Sequence, residues 1–280
     1  MGAVKRAVRP FFGASRRPGC AFIEESIEFD WHSGLSWQVR QRSSKCLAEA
    51  ILQRYGGAGL LANDILEVST ASEDYETGKA LSALNLMYED PISGRVFSVE
   101  SWFQAAKVFE KDGREYGPYE ELLTVKAPKR YLNTFLDKKT AAQYDDDYLF
   151  QKIQSEIDGA SLVRFEMAEK TYPLIPRSCF YDYLYAKALY QDRNSDLAER
   201  LCRYRVFTDI MFNPGTGKKQ KFNTQARSCA IFVSLTKRGL IDEALFDIDT
   251  FIDMVAYDIP TGSAPQPKED AQLEMHLDGS

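Results

Sequence analysis

The sequence predicts an α+β fold: a helix-dominated single domain with a small β-sheet built early in the chain. Three observations carry that expectation. The 280 residues are 44% hydrophobic and 27% charged, enough chain for a sizeable core. Strand-like runs fall early, at residues 22–31 and 65–70. Beyond about residue 110 the apolar spacing is mostly helical, and strands do not alternate regularly with helices, which argues against a doubly wound sheet.

In chain order, FIEESIEFDW (22–31) turns strand-like in its second half. SSKCLAEAILQRY (43–55) is a helix with a serine cap and a Gly-Gly stop. ILEVST (65–70) alternates as a strand, and GKALSALNLMY (78–88) is apolar without a clear period. EDPISGRVFS holds two turn signals around a short hairpin. SVESWFQAAKVFEK (98–111) is then expected to be one helix capped by Ser98. Helical patterns follow at 140–157, 161–172, 180–191 and 195–205. TDIMFNPGTGKKQKF is a loop, and NTQARSCAIFVSLTKRGL is a helix capped by Asn223 or Thr224 and ending at Gly239.

Composition excludes several function classes. The net charge of −6 argues against a general nucleic-acid coat protein while leaving room for a local basic groove. No apolar run approaches the roughly 18 residues that span a bilayer. Five scattered cysteines without a CxxC point to a reduced, cytoplasmic protein. His32 and His276 are too far apart for zinc-site spacing, so no metal and no cofactor are expected. Lys5, Arg6, Arg9, Arg16 and Arg17 suggest a flexible basic terminus over residues 1–20, with a transit peptide or nucleic-acid arm as alternatives. Residues 21–258 form the folded body, and 259–280, rich in Pro, Gly, Ser and charge, read as a disordered tail.

Four stretches can carry chemistry. Glu100, Gln104 and Lys107 recur at i, i+4 and i+7, so a helix would line them on one stripe opposite Trp102, Ala106 and Phe109. That stripe is either a wet surface or the wall of a polar site. FNTQARS (222–228) opens a helix, whose free N–H groups favour phosphate, with Arg227 one turn inside and Asn223 and Gln225 as amide donors. Its bland alternative is a capped helix whose arginine pairs with an acid. Asp209 stands between Phe207 and Phe212, where desolvation would raise its pKa as a general acid requires; an Asx turn is the alternative. Tyr183, Lys187 and Tyr190 share one helix face, able to stack a base or simply to pack. NPGTGKKQ (213–220) lacks the Gly and Ser/Thr positions of a P-loop and reads as a basic loop carrying Lys218, Lys219 and Lys221.

Taken together, LNLMYEDPI (84–92), Gly94 and SVESWFQAAKVF (98–109) resemble, in order and spacing, the NADAR family of N-glycosidases. Lys187, Asp209 and Asn223 match later family positions more loosely. FDWHSGLSWQVRQRS and ILEVSTAS are similar to the longer members that act as antitoxins beside DarT toxins. Two departures stand out: the family's usual His is Ser101 here, and its Ser-Asn pair is Asn85-Leu86. The resemblance implies a NADAR/YbiA-like fold and cleavage of the C–N bond at the anomeric carbon of ADP-ribose. For DarT-linked members the substrate is ADP-ribosylated guanine in DNA, with ADP-ribose as product and a DarT-type toxin as possible partner. A hydrolase of a riboflavin-pathway N-glycoside and a non-catalytic ADP-ribose- or toxin-binding module are the alternatives.

In this frame Glu100 transfers a proton, Lys107 is nucleophile or cation stabiliser, and Asp209 positions the ribose or does acid–base work. Gln104 and Lys187 join the substrate-binding set, and the Asn223–Arg227 turn, with Gln225, holds the pyrophosphate. Tyr88 or Trp102 stacks a base if its ring is exposed.

Overall fold

The structure is a computed structural model and describes residues 4–17, 19–34, 36–134, 136, 138–215, 221–255 and 257. The strands are β1 (Val4–Ala14), β2 (Phe22–His32), β3 (Ile65–Glu67), β4 (Met87–Glu89), β5 (Val96–Ser98), β6 (Lys107–Lys111), β7 (Arg114–Tyr116), β8 (Ser161–Met167), β9 (Lys170–Tyr172) and β10 (Val206–Thr208). The helices are α1 (Trp37–Tyr55), α2 (Val99–Ala105), α3 (Pro128–Tyr131), α4 (Lys138–Ala141), α5 (Tyr148–Ile157), α6 (Cys179–Tyr190), α7 (Ser195–Leu201), α8 (Gln225–Lys237), α9 (Ile241–Ala244) and α10 (Ile248–Val255). The chain is α+β as expected.

Its sheet content is larger than the sequence pattern predicts. The described residues form three sheets: β2-β1-β10-β3, the pair β4-β5, and β7-β6-β8-β9. β10 pairs β3 in parallel and β1 antiparallel, so a late strand closes the first sheet. The expected flexible terminus is corrected here. Residues 4–14 pair along their whole length with β2, from Val4 opposite His32 to Ala14 opposite Phe22. Phe11 and Phe12 are buried, and their burial holds the terminus in place. Its cations serve the sheet surface: Arg6 pairs with Glu28 and Asp30, and Arg9 lies over the Trp31 ring. The expected tail at 259–280 and Lys218 and Lys219 lie outside the described residues.

Residues 161–172 are also corrected, from helix to the β8–β9 hairpin. Phe165 and Met167 are buried at a spacing of two, and Ala168 and Glu169 take positive φ in the turn. Pairing of β8 with β6 thus overrides the helix-forming Glu, Met and Ala of this stretch. Helix α1 begins six residues before the expected start, because Ser36 rather than Ser43 caps it. Ser43 instead accepts from the His32 N–H and donates to the Val39 carbonyl.

The main core surrounds α6 and α8. Phe180, Leu184, Tyr185, Ile231 and Phe251 are fully enclosed. A second cluster packs α1 beneath the β1–β2 hairpin through Phe11, Phe29, Leu47 and Ile51. No helix among the described residues is long and apolar enough to cross a membrane.

Candidate active site

The β4–β5 hairpin delivers the chain directly into α2. Ser98 ends the strand and caps the helix, its Oγ accepting from the Ser101 N–H at 3.1 Å. Ser101 is buried, with its hydroxyl 3.0 Å from the Ser98 hydroxyl. The free N–H groups of Val99 and Glu100 donate to the carbonyls of Leu86 and Ala83. The helix therefore starts at a fixed point on the 83–86 turn.

The helix expected over 98–111 stops at Ala105, and Lys107 is the first residue of β6. Strand pairing with β8 takes over there, Lys107 lying opposite Phe165. The polar series survives the change of structure. Gln104 Nε2 donates to Glu100 Oε1 at 3.0 Å, and Lys107 Nζ donates to Gln104 Oε1 at 2.6 Å. Gln104 is 2% exposed, so its amide is read by these two partners rather than by water. The Lys107 amine lies 4.9 Å from the Phe103 ring centre. Desolvation lowers its pKa to about 8, against the opposing pull of Glu100 and with help from Lys129.

A second group converges from the end of β10 and the start of α8. Thr224 caps α8, accepting from the Ala226 N–H and donating to Asp209 Oδ2 at 3.1 Å. Asp209 Oδ1 accepts from the Met211 N–H at 3.1 Å. This Asx-type bond and the expected desolvation are both present: burial pushes the Asp209 carboxyl up, against those hydrogen bonds. Gln225 Oε1 accepts from the Ala83 N–H at 2.9 Å, while the Ala83 carbonyl accepts from Glu100. The first turns of α2 and α8 are thus bonded to one residue.

Two groups that sequence reasoning missed interact electrostatically with both halves. The buried Tyr181 phenol on α6 is held neutral by burial and by the charges of Glu100 and Asp209. Its ring meets Phe103 edge-on at 5.1 Å. The charge of Lys129, exposed on α3, acts on both Lys107 and Asp209. Neither residue carried a local signal: Tyr181 is one of several tyrosines in its helix, and Lys129 sits in an ordinary basic stretch.

The other expected binding residues separate from this group. Arg227 forms a buried ion pair with Asp182, Nη2 to Oδ2 at 2.9 Å and Nε to Oδ2 at 3.1 Å. Ser228 and Tyr257 complete the Asp182 contacts. The arginine is used inside the core, which corrects its placement on a pyrophosphate. Tyr88 and Trp102 are 3% and 4% exposed. The indole N–H donates to the Tyr88 carbonyl, and Tyr88, Phe97 and Arg95 cover the indole ring. Both rings are taken up in packing, Trp102 reaching only the wall of a cavity it shares with Pro118, Glu166 and Lys170. Lys187 lies over Tyr183 and is lowered by burial and then by Lys170, so it belongs to α6 packing. Tyr190 bonds Asp242. Asn223 stands half-buried beside the cap.

The family model described as "DarT1-associated NADAR antitoxin" matches residues 7–139 and 150–263. No curated protein matches the chain.

Proposed function

The chain belongs to the DarT1-associated NADAR antitoxins, and from that premise we propose that it is an N-glycosidase. It hydrolyses ADP-ribose from the guanine amino group of ADP-ribosylated DNA and so acts as antitoxin to a DarT-type ADP-ribosyltransferase. One observation carries the chemistry. The Lys107 amine is desolvated, bonded to Gln104, and set in a network with the Glu100 carboxylate. An amine with a pKa near 8 is partly neutral at physiological pH, as a nucleophile must be.

In this reaction the neutral Lys107 amine attacks C1 of the ring-opened ribose. The new bond joins C1 to Nζ, and the bond from C1 to the guanine nitrogen breaks. The two protons that Nζ loses in forming the imine pass by way of the Glu100 carboxylate to the guanine nitrogen, which leaves as the free amino group. Water then adds to C1 of the lysine imine, releasing ADP-ribose and restoring the amine. One water is consumed for each bond cleaved. Gln104 orients the amine. Asp209, kept prone to hold a proton by burial, donates to a ribose hydroxyl or assists the leaving group. Asn223, Gln225 and the N-terminal end of α8 receive the pyrophosphate, and Lys129 supplies the cation assigned from sequence to Arg227.

The decisive experiment incubates the protein with oligonucleotides ADP-ribosylated on guanine or on thymine and measures free ADP-ribose by mass spectrometry. Release from guanine only is expected, with none from the Lys107→Ala variant. Release from neither oligonucleotide overturns the proposal.

A further inference from the structure

Glu67, the last residue of β3, has no part in the reaction above, yet its carboxylate is the most heavily engaged near Asp209. Oε2 accepts from Thr208 Oγ1 at 2.7 Å, and the two oxygens lie 2.9 and 3.2 Å from the Ile210 N–H. The Ser69 side chain adds a further hydrogen bond. These partners flank Asp209 on both sides along the chain. The parallel register makes this possible, placing Glu67 opposite Thr208 while the Val68 N–H bonds the Thr208 carbonyl at 2.9 Å. On its other side the same turn is held by Asp209's own bonds to Met211 and Thr224.

Glu67 and Thr208 also line a cavity of about 300 Å³ between α1 and β3, with Gln41, Ser44, Asn63 and Asp74 among its walls. Asp209 does not border that cavity. Glu67 is thus half-buried at the wall of that cavity, while Asp209 is buried at the cap of α8.

We infer that Glu67 is a positioning residue for Asp209: its carboxylate clamps the Thr208–Ile210 turn from behind and so fixes where the Asp209 side chain stands. The inference rests on the role given to Asp209 above. Burial first and then the Asp209 charge push the Glu67 carboxyl up, while its bonds to Ser69, Thr208 and Ile210 hold it down. The other groups facing Asp209 are Lys129 from α3, Tyr181 and Tyr185 from α6, and Thr224 and Cys229 from α8. Those around Glu67 are Ser69 and Thr208, with Asp74 and the Lys45–Glu73 pair at the cavity.

The test uses Glu67→Gln, Glu67→Ala and Thr208→Val in the full chain. Glu67→Gln keeps an oxygen for the Ile210 N–H, Glu67→Ala releases the turn, and Thr208→Val removes only the Oγ1 bond to Glu67. Glu67→Ala is expected to lower kcat about tenfold with KM changed less than about twofold, Glu67→Gln to restore most of the loss, and Thr208→Val to lower kcat about threefold. Amide NMR reads the clamp without turnover: the Ile210 and Met211 N–H signals are expected to move in Glu67→Ala and to stay near their wild-type positions in Glu67→Gln. Wild-type kcat in Glu67→Ala, or in Thr208→Val should Glu67→Ala not fold, overturns the inference. Full activity in Asp209→Asn would remove only the catalytic role of Asp209 and leave the amide readout of the clamp standing.

Discussion

Lys107 Nζ donates to Gln104 Oε1 at 2.6 Å although Gln104 belongs to a helix and Lys107 to a strand. The bond spans the junction where α2 becomes β6, so the amine is held by two elements at once. A helix surface alone would leave a lysine free to swing into water. Here the Phe103 ring beneath the amine and the Gln104 amide ahead of it restrict that motion. Reduction with borohydride during turnover should therefore trap ADP-ribose on Lys107, identified by peptide mass. Lys107→Ala should show no adduct and lose at least about 1000-fold in kcat, the scale expected when a covalent nucleophile is removed. A Lys107→Ala enzyme with near-native kcat would exclude the imine route.

The same amine should burden the fold below its pKa. Its folded pKa is lowered to about 8, beneath the unfolded value near 10.5. At any pH below 8 both states carry the proton, and the folded state bears the full cost of a desolvated cation. Between about pH 8 and 10.5 the folded state releases the proton first, so wild-type stability gains a rising contribution across that window. Lys107→Met should remove this rise and be more stable at pH 7 by on the order of 1 to 3 kcal/mol. Urea unfolding at pH 7 and pH 10 measures both effects.

Gly117 should be as sensitive as the site residues themselves. Its φ is +93°, and a Cβ there would lie 2.3 Å from the Lys107 carbonyl oxygen. Gly117→Ala must move the first residue of β6, which carries the amine. We expect a loss of about 1–3 kcal/mol and a fall in kcat larger than in KM, read from urea midpoints and steady-state kinetics.

The Arg227–Asp182 pair should matter for stability rather than for affinity. Both side chains are buried, and Asp182 also receives Ser228 and Tyr257. Asp182→Asn or Arg227→Met should each cost about 3–5 kcal/mol by leaving its partner uncompensated, while the double variant Asp182→Leu/Arg227→Met recovers much of the loss. Binding of ADP-ribose to Asp182→Asn that remains folded, followed by calorimetry, should match the wild type within about twofold. A tenfold loss of affinity without unfolding would return Arg227 to the pyrophosphate.

Local signals were the legible ones. The Ser98 cap, the turn between β4 and β5, a strand in the second half of 22–31 and a cap at Asn223 or Thr224 were expected, because each depends on near neighbours in the chain. The site was legible as a list of residue types but not as a set of partners. Glu100, Gln104, Lys107 and Asp209 stood out, yet Glu67, Tyr181 and Lys129 carried no mark, since a single buried carboxyl, phenol or surface amine has no spacing to betray it. Trp102 and Tyr88 misled in the other direction, because an aromatic ring that packs is spelled the same as one that stacks on a ligand.

By itself, the amino-acid order determined where the short-range hydrogen bonds begin: the capping hydroxyls, the tight turns, and the Glu100–Gln104 contact one helical turn apart. Only the tertiary structure decided that α2 ends before Lys107, that 161–172 pairs as a hairpin, and that Arg227 is spent on Asp182. It also decided that β10 brings Asp209 against Glu67 across 141 intervening residues. The reason is physical. Caps and turns are satisfied by atoms a few residues away, whereas strand pairing, burial and the sharing of charge depend on surfaces that meet only when the whole chain has folded.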